Sequence, residues 1–439
     1  MKTRNFLSFL SLLFCSVAHS AEPTMVMTSF YDGSKDPFDF MLFPEFRWVQ
    51  RMSTISREGY DPTNPLTTAK VLEAKRVQYL LDLHLRIGLY KDFEAFLVFP
   101  FVLSDKTEYS FSGNYGNDVR TRFGMPSSGP KRSGFGDMTW GLRYAPFQQW
   151  RDRHYPSWVL VFSHRAPTGK VARATNGAVG LGYHELHFET AVSRRMAFIE
   201  PFFSFGGDLR VPSKNTLFKE YNSDTQGSVW PGPELGMTFG IEFVPWEKTR
   251  KDGKPTRFVS LQLGSGIVYN FKGRGYSDLF EAFGRSTCSP DNPGYCVDDD
   301  PNDKRGRLLT TQYNWISPPG NLPAGKIAEC PSSGPCYLDG ITDIGAYSTY
   351  SVFFGVTAQP IEYLSIRFRF DYAYESSHAL TQAIVGYDLD NMNNVEFSNS
   401  MGVNEYNPVY NSSIDAPGKR FFSDGAHIFG ISLSVSGQF

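Results

Sequence analysis

The sequence has no long hydrophobic run and almost no net charge. Its 439 residues carry 43 Lys+Arg against 45 Asp+Glu, and this balance excludes a protein that binds nucleic acid through a broad positive surface. The one clear apolar stretch lies near the N-terminus and is too short to cross a bilayer as a helix. A helical membrane protein is therefore excluded.

Charged residues are also scarce, at 20%, whereas aromatic residues reach 15% and 40 Gly and 28 Pro are spread along the whole chain. This composition argues against disorder. It is typical of a closed β-barrel in a membrane, where apolar side chains that face lipid alternate with polar side chains that face the lumen.

The N-terminus has the three parts of a secretory signal peptide. Lys2 and Arg4 precede an apolar run over residues 6–17, and small residues lead to a cleavage position after Ser20. We predict that residues 1–20 are a signal peptide and that residues 21–439 form an outer-membrane β-barrel.

Cysteines are few, and four of the five lie in one polar stretch of the exported part. Disulfides are expected for such a group in an oxidising compartment. Three pairings are possible, and we favour the two local ones because they close the shortest loops. The four residues are Cys288, Cys296, Cys330 and Cys336.

Alternation with a period of two residues is the dominant pattern, as in residues 78–90 and 363–375. In the first segment Leu residues occupy one face, while Gln78, Asp82, His84 and Arg86 occupy the other. This pattern indicates strands rather than helices. In a membrane barrel the apolar face meets lipid and the charged face meets the lumen.

Counting such segments predicts an all-β fold, a transmembrane antiparallel barrel of about 12 strands. The predicted strands start near Phe38, Val77, Phe93, Gly134, Ser157, Tyr183, Ala197, Gly232, Thr256, Ala346, Ile361 and Ala426.

The predicted connections alternate between short and long, as expected for periplasmic turns and external loops. Short turns include Lys91-Asp92 and Gln359-Pro360, and long loops include residues 53–75, 272–345 (with the cysteines) and 376–425. Tryptophans near strand ends fit interfacial girdles. They are Trp48, Trp140, Trp150, Trp158 and Trp246.

The last segment alternates apolar and small polar residues up to a terminal aromatic residue, Phe439. We interpret Phe439 as part of the signal that the barrel-assembly machinery reads. The expected surroundings are therefore a Gram-negative envelope and outer-membrane lipid.

The middle of the chain has a distinctive order of motifs, at residues 134–144 (GFGDMTWGLRY), 165–170 (RAPTGK), 177–182 (GAVGLG) and 232–236 (GPELG). On these motifs the chain resembles the outer-membrane family named for the meta pathway of phenol degradation. The resemblance implies a porin-like relative of the channels that pass long-chain fatty acids and hydrocarbons, with hydrophobic or aromatic small molecules as solutes.

Strand phase predicts a set of charged side chains that line the lumen, either as ion-pair bracing or as the lining of a selective path. The set is Glu45, Arg47, Asp82, His84, Arg86, Asp137, Arg143, Glu185, His187, Glu189, Glu234, Glu242, Arg367, Arg369 and Asp371.

We expect passive transport of small molecules across the outer membrane. The alternative is a non-conducting structural or assembly component of the envelope, such as a surface anchor or part of a secretion or polysaccharide-export complex, with envelope proteins as partners. The chain has no G-x-S-x-G, His-Ser-x-Asn or His-Glu-x-x-His pattern, so we predict no enzymatic activity. No cofactor, metal site or nucleic-acid partner is expected.

Overall fold

The computed structural model describes residues 24, 40–90, 92–149, 152, 154–174, 176–213, 230–249, 255–284, 340–361, 363–392 and 414–438. Its strands are β1 (Phe40–Glu58), β2 (Thr68–Tyr90), β3 (Phe93–Phe111), β4 (Arg132–Phe135), β5 (Thr139–Phe147), β6 (Ser157–Arg165), β7 (Tyr183–Ser193), β8 (Ile199–Pro212), β9 (Glu234–Thr249), β10 (Pro255–Asn270), β11 (Gly273–Gly275), β12 (Thr342–Ile344), β13 (Tyr347–Ile361), β14 (Leu364–Glu375), β15 (His378–Ala379) and β16 (Phe421–Gln438). Its helices are α1 (Gly113–Phe123) and α2 (Phe280–Gly284).

Twelve long strands form one closed antiparallel barrel, in the order β1-β2-β3-β5-β6-β7-β8-β9-β10-β13-β14-β16. The barrel closes where β16 pairs with β1, from Met41 opposite Gln438 to Arg57 opposite Phe421. The predicted all-β barrel of about 12 strands is confirmed. The short strands β4 and β15 extend the wall beside β3 and β16, and β11 pairs with β12 as a separate ribbon.

Burial alternates along the strands, but with polar side chains inside and apolar side chains outside. On β14 the Arg369 side chain is fully buried, whereas its neighbour Phe370 is 39% exposed. A soluble sandwich would bury the apolar face instead. An apolar exterior and a charged interior are the properties of an outer-membrane barrel, and the protein therefore belongs in the outer membrane.

Connections between strands are short at one end of the barrel and long at the other. Turns such as residues 148–156 and 194–198 lie at the short end, and connections such as 166–182 and 271–346 lie at the long end. This asymmetry identifies the short end as periplasmic and the long end as external. No helix among the described residues is long and apolar enough to cross a membrane.

Several predicted strand starts coincide with the structure, including Phe93, Ser157 and Tyr183. Others were wrong. The predicted long loop 53–75 is only residues 59–67, because β1 continues to Glu58 and β2 begins at Thr68. Irregular pairing between Ser53 and Ser56 breaks the alternation there, so the sequence pattern ends before the strand does.

Three further boundaries differ from the prediction. The strand expected from Gly134 is interrupted, since β4 ends at Phe135 and β5 begins at Thr139. The strand expected from Ala426 begins five residues earlier, at Phe421. The predicted turn at Gln359-Pro360 lies within β13, which ends at Ile361; the turn follows it, and Ile361 is an end rather than a start.

The external end carries an apolar core that we call the cap. β2 has 23 residues, whereas about 9–11 suffice to cross a membrane as a strand, so β1, β2 and β3 continue beyond the lipid. The external halves of these three strands pack against both helices and against residues 378–380, 414 and 421. The cap core is Ile55, Val71, Leu72, Ala74, Tyr109, Val119, Phe123, Met125, Leu279, Ala282, Phe283, Leu380, Ile414 and Phe421.

Helix α1 covers one side of this core through Val119 and Phe123. It ends at Gly124, which has a left-handed conformation (φ 59°) and donates its N–H to the last turn, a conformation that glycine adopts at little cost. The Arg57 guanidinium lies 5.2 Å from the ring centroids of both Phe123 and Phe421. These contacts fix the helix over the barrel mouth.

Some predictions fall outside the described residues. These are the signal peptide, the girdle position of Trp150, the disulfides of Cys288, Cys296, Cys330 and Cys336, and the C-terminal Phe439. They remain predictions.

Candidate functional site: the charged lumen and its external cover

The structure buries every predicted lumen side chain except Glu242. Glu242 is half-buried and lies opposite Glu200 and Gln262 of the neighbouring strands. These residues come together because each occupies the inward position of its strand, apart from Asp137, which lies between β4 and β5.

A chain of ion pairs runs around the wall from β6 to β9. Arg165 Nη2 lies 2.6 Å from Glu185 Oε2, and Arg210 Nε lies 2.9 Å from the same oxygen. Arg210 Nη2 then lies 2.8 Å from Glu234 Oε1. Each of these contacts joins side chains of adjacent strands, so the charges are neutralised along the wall.

The same arrangement recurs deeper in the lumen. Arg86 of β2 makes a two-pronged contact with Glu94 of β3, at 2.5 and 2.7 Å, and this geometry suits a guanidinium and a carboxylate. Arg47 of β1 likewise pairs with Asp82 of β2. These pairs again connect neighbouring strands.

Histidines take part in this lining. His187 Nδ1 of β7 lies 2.7 Å from Asp208 Oδ1 of β8, with Glu189 on its other side at 3.7 Å. His84 lies 3.3 Å from Glu45 and stacks on the Phe43 ring with centroids 4.4 Å apart. Both imidazoles thus lie beside carboxylates in a buried, polar wall.

The remaining predicted cations contact rings and polar groups. Arg369 donates to Asp371 at 2.7 Å and lies 3.8 Å from the centroid of Phe353. Arg367 reaches past β13 and donates to Gln262 of β10 at 2.7 Å. The Arg143 guanidinium lies 5.7 Å from the centroid of the Phe96 ring.

Asp137 holds loops together. Its carboxylate accepts the backbone N–H groups of Gly169 at 2.9 Å and Leu181 at 2.7 Å. Gly180 donates to the Lys170 carbonyl at 2.7 Å, and a Cβ at Gly180 would lie 2.4 Å from the Gly169 carbonyl oxygen. The motifs at 134–144, 165–170 and 177–182 therefore meet in space and are joined by hydrogen bonds.

A short segment of the long 271–346 connection, residues 276–284, folds into the external mouth. We call it the cover. Leu279, Ala282 and Phe283 of the cover are fully buried in the cap core. Between the cover and the wall lies a cavity of about 50 Å³ lined by both charged and apolar residues, including Arg51, Asp105 and Tyr276.

Two ion pairs attach the cover to the wall. Asp278 pairs with Arg51, which also contacts Glu375 at 2.6 Å. Burial alone would raise the pKa of the Asp278 carboxyl, but the charge and hydrogen bond of Arg51 outweigh burial and hold that pKa below its usual value. Asp278 is therefore ionised at neutral pH.

The second pair joins Glu281 of the cover to Arg132 of β4, with Nε and Oε1 2.7 Å apart. A Cβ on Gly129 would lie 1.5 Å from Glu281 Oε2, so a larger residue there would displace this carboxylate from its present position. Arg132 also donates to the carbonyls of Arg173, Asn176 and Ala178 at 2.8–3.0 Å. One guanidinium thus binds the cover and the 166–182 connection.

The cover also reaches the 166–182 connection through Tyr276, whose hydroxyl donates to the Leu181 carbonyl at 2.9 Å. Burial raises the pKa of the Tyr276 hydroxyl well above its ordinary value, so it stays protonated and keeps this donor role.

Sequence reasoning missed several of these residues. Arg51, Glu94, Asp208 and Arg210 share the inward phase of their strands, so alternation could have found them; only Arg210 lay beyond a predicted strand, in the loop predicted at 209–231. Asp278 lies in an irregular connection, and nothing in its local pattern points to Arg51. No group of three or more His, Cys, Asp or Glu side chains in the described part of the chain is arranged to hold a metal ion.

No family model matches the chain, and no curated protein matches it. The resemblance to the meta pathway family therefore remains a prediction.

Several solved structures align with most of the chain. An outer membrane channel from Pseudomonas putida F1 covers 91% of this chain and 95% of its own, with 10% identity and a TM-score of 0.42. A Pseudomonas aeruginosa FadL homologue covers 92% and 90%, with 8% identity and a TM-score of 0.27. The outer membrane protease OmpT from Escherichia coli covers 91% and 97%, with 6% identity and a TM-score of 0.29. All three TM-scores are below 0.5, so these likenesses carry no argument about function.

Proposed function

We propose that the protein is an outer-membrane channel for passive passage of small hydrophobic or aromatic molecules. The observation that carries this proposal is the direction of the lumen ion pairs, such as Arg165 with Glu185 and Arg86 with Glu94, which join adjacent strands. Charges neutralised along the wall can line a passage. A barrel of eight strands has an interior that side chains alone can fill, and a barrel of 16–18 strands holds a wide aqueous pore. The interior of a twelve-stranded barrel lies between these two sizes.

The external mouth supports an apolar solute. Phe123, Phe283 and Phe421 meet there, with ring centroids 5.3–6.2 Å apart. An apolar molecule that displaces the cover would exchange contacts with Phe283 for its own contacts with the remaining rings. The charged lumen below would then be crossed without strong binding, which suits passage rather than storage.

Opening requires movement of the cover, residues 276–284. The central test is single-channel conductance of the refolded mature chain in a planar bilayer, compared with a variant carrying Asp278→Asn and Glu281→Gln. We expect the variant to be open more often, by at least several-fold, because both ion pairs to the wall are lost. Vesicle uptake of an aromatic hydrocarbon should rise in parallel.

The matched control is Lys106→Gln with Glu108→Gln. This pair is as close, at 2.5 Å, but both side chains are more than half exposed, so gating should not change. Bilayers that stay silent with inserted wild type and inserted variant alike would overturn the channel proposal.

The buried ion pairs also favour a second function, a non-conducting structural or assembly component of the envelope. Arg51 connects the β1 wall, the cover and Glu375 of β14 in one buried network. Such bracing would suit a surface anchor or one part of a secretion or polysaccharide-export complex. Capture of the same envelope protein by cross-linking in cells, together with silent bilayers, would favour this function.

A further inference from the structure

Two histidines form a pair on the outer surface of the barrel wall. His164 is next to the end of β6 and His184 next to the start of β7, with His164 Nε2 and His184 Nδ1 2.9 Å apart. Both side chains are half-buried, while their sequence neighbours Ser163 and Tyr183 are buried in the barrel. Strand alternation therefore places both imidazoles on the outward face.

This pair differs from the other histidines that the structure describes. Each of those has an oxygen beside its ring nitrogen, from Glu45, Asp152, Asp208, the Ser376 carbonyl or the Tyr372 hydroxyl. His164 and His184 hydrogen-bond only to each other within the described part of the chain. Among the described residues, no carboxylate or carbonyl orients these two imidazole nitrogens.

The spacing suits a metal ion. Two imidazole nitrogens bound to one ion at about 2.0–2.1 Å lie about 2.9–3.4 Å apart for bond angles from square to tetrahedral. The observed 2.9 Å falls in this range. The ring planes differ by 14° and the two nitrogens face each other, so both rings must turn for their lone pairs to point at one ion. Imidazole is a preferred ligand of zinc, copper and nickel.

The position supplies further ligands. Trp140 of β5 is directly opposite His164 in the register, and the two rings meet edge to face at 5.4 Å. Tryptophan marks the boundary between lipid tails and headgroups, and these strand ends lie on the external side. The pair is therefore at the level of headgroup phosphates and water, both of which offer oxygen ligands.

We propose that His164 and His184 form a binding site for a divalent transition-metal ion on the outer surface of the barrel. Two imidazole nitrogens bind the ion, and water or phosphate oxygens complete its coordination. In the neutral pair, the bridging proton moves to the other nitrogen of the ring that carried it, and no proton is released. A pair that holds an extra proton releases it on binding.

The test uses Cu²⁺ as the probe, with the full mature chain refolded in phosphate-free detergent. We expect one saturable Cu²⁺ per protein, with an electron paramagnetic resonance spectrum that shows two equatorial nitrogens. His164→Gln and His184→Gln should each weaken binding at least tenfold and remove the two-nitrogen signal. Repeating the titration in vesicles with phosphate-bearing lipid distinguishes water from headgroup oxygen as the remaining ligand.

The matched control is His427→Gln, since His427 is an exposed histidine on the external half of β16, with Tyr372 as partner. This variant should bind Cu²⁺ as the wild type does. Heat-modifiable gel mobility checks that every variant is folded. Wild type without a saturable site, or binding that His164→Gln and His184→Gln leave unchanged, would overturn the proposal.

Discussion

The membrane part of the barrel and the external cap have opposite interiors. Within the membrane, Arg369 is fully buried while Phe370 faces outward. In the cap, Phe283 is fully buried while Lys106 and Glu108 are exposed. The surrounding solvent accounts for the difference, because lipid favours apolar side chains outside and water favours them inside.

One strand can serve both regions because the side chains at its inward positions change along its length. On β1 the inward positions include Glu45, Arg47, Arg51 and Ser53 as well as apolar residues such as Val49. Ile55 continues the same inward phase and is fully buried in the cap core. Pairing becomes irregular at this point, between Ser53 and Ser56, and the strand continues into the cap.

The largest expected effect comes from breaking the cap core with Phe123→Ala. Loss of a fully buried phenylalanine costs about 3–5 kcal/mol, and this cost should fall on the cap alone. We expect faster cleavage of the external connections by added protease, with heat-modifiable mobility of the barrel retained. Loss of that mobility would mean that cap and barrel fold as one unit.

A somewhat smaller effect should come from placing a charge on the lipid face. Leu263 is 64% exposed and lies near the middle of β10, so Leu263→Arg should lower the free energy of unfolding by about 2–4 kcal/mol. Ser110→Arg, at an exposed position on the cap part of β3, should cost almost nothing. Urea unfolding in lipid vesicles measures the free energy of unfolding of both variants. An equal loss of stability in the two would contradict the assignment of Leu263 to the membrane and of Ser110 to the cap.

The smallest of the three effects is an acid-sensitive cover. The pKa of Asp278 is lower in the folded protein than in the unfolded chain. The stabilisation that ionised Asp278 gives to the cover is therefore complete at pH values above the unfolded-state pKa of about 4, and it is lost as the pH falls towards and through the folded-state pKa. The loss is about 1–3 kcal/mol, the cost of an unsatisfied buried partner. We expect protease sensitivity of the cover to rise from pH 5 to pH 3 in wild type.

Asp278→Asn provides the control for this pH dependence. The variant lacks the charge at both pH values, so its cover should already be sensitive at pH 5 and change less on acidification. An acid response of the same size in the variant would assign the effect to another group.

Alternation predicts the fold best where lipid faces the strands. Between Gln78 and Tyr90 it gave both the strand and the inward positions of Asp82, His84 and Arg86. It failed over residues 68–75, where water surrounds β2 and charged residues such as Lys70 and Glu73 are exposed. Outside the membrane the pattern loses its physical cause.

The candidate site was predictable only in part. Lumen residues on regular strands follow from phase, as Glu185 and His187 do. The role of Asp137 depends on three segments that meet in space, and the contact between Asp278 and Arg51 joins positions more than 200 residues apart. Local sequence has no signal for such contacts, because they depend on how the closed barrel brings its loops together.

The contacts of Arg132 bear on the number of conductance levels that a single-channel recording should show. A single side chain holds both the cover and the carbonyls of the 166–182 connection. Displacing either one leaves a buried guanidinium short of partners, so the two should leave the mouth together. If the channel conducts, its trace should therefore switch between two levels, closed and fully open, and Arg132→Gln should add an intermediate level.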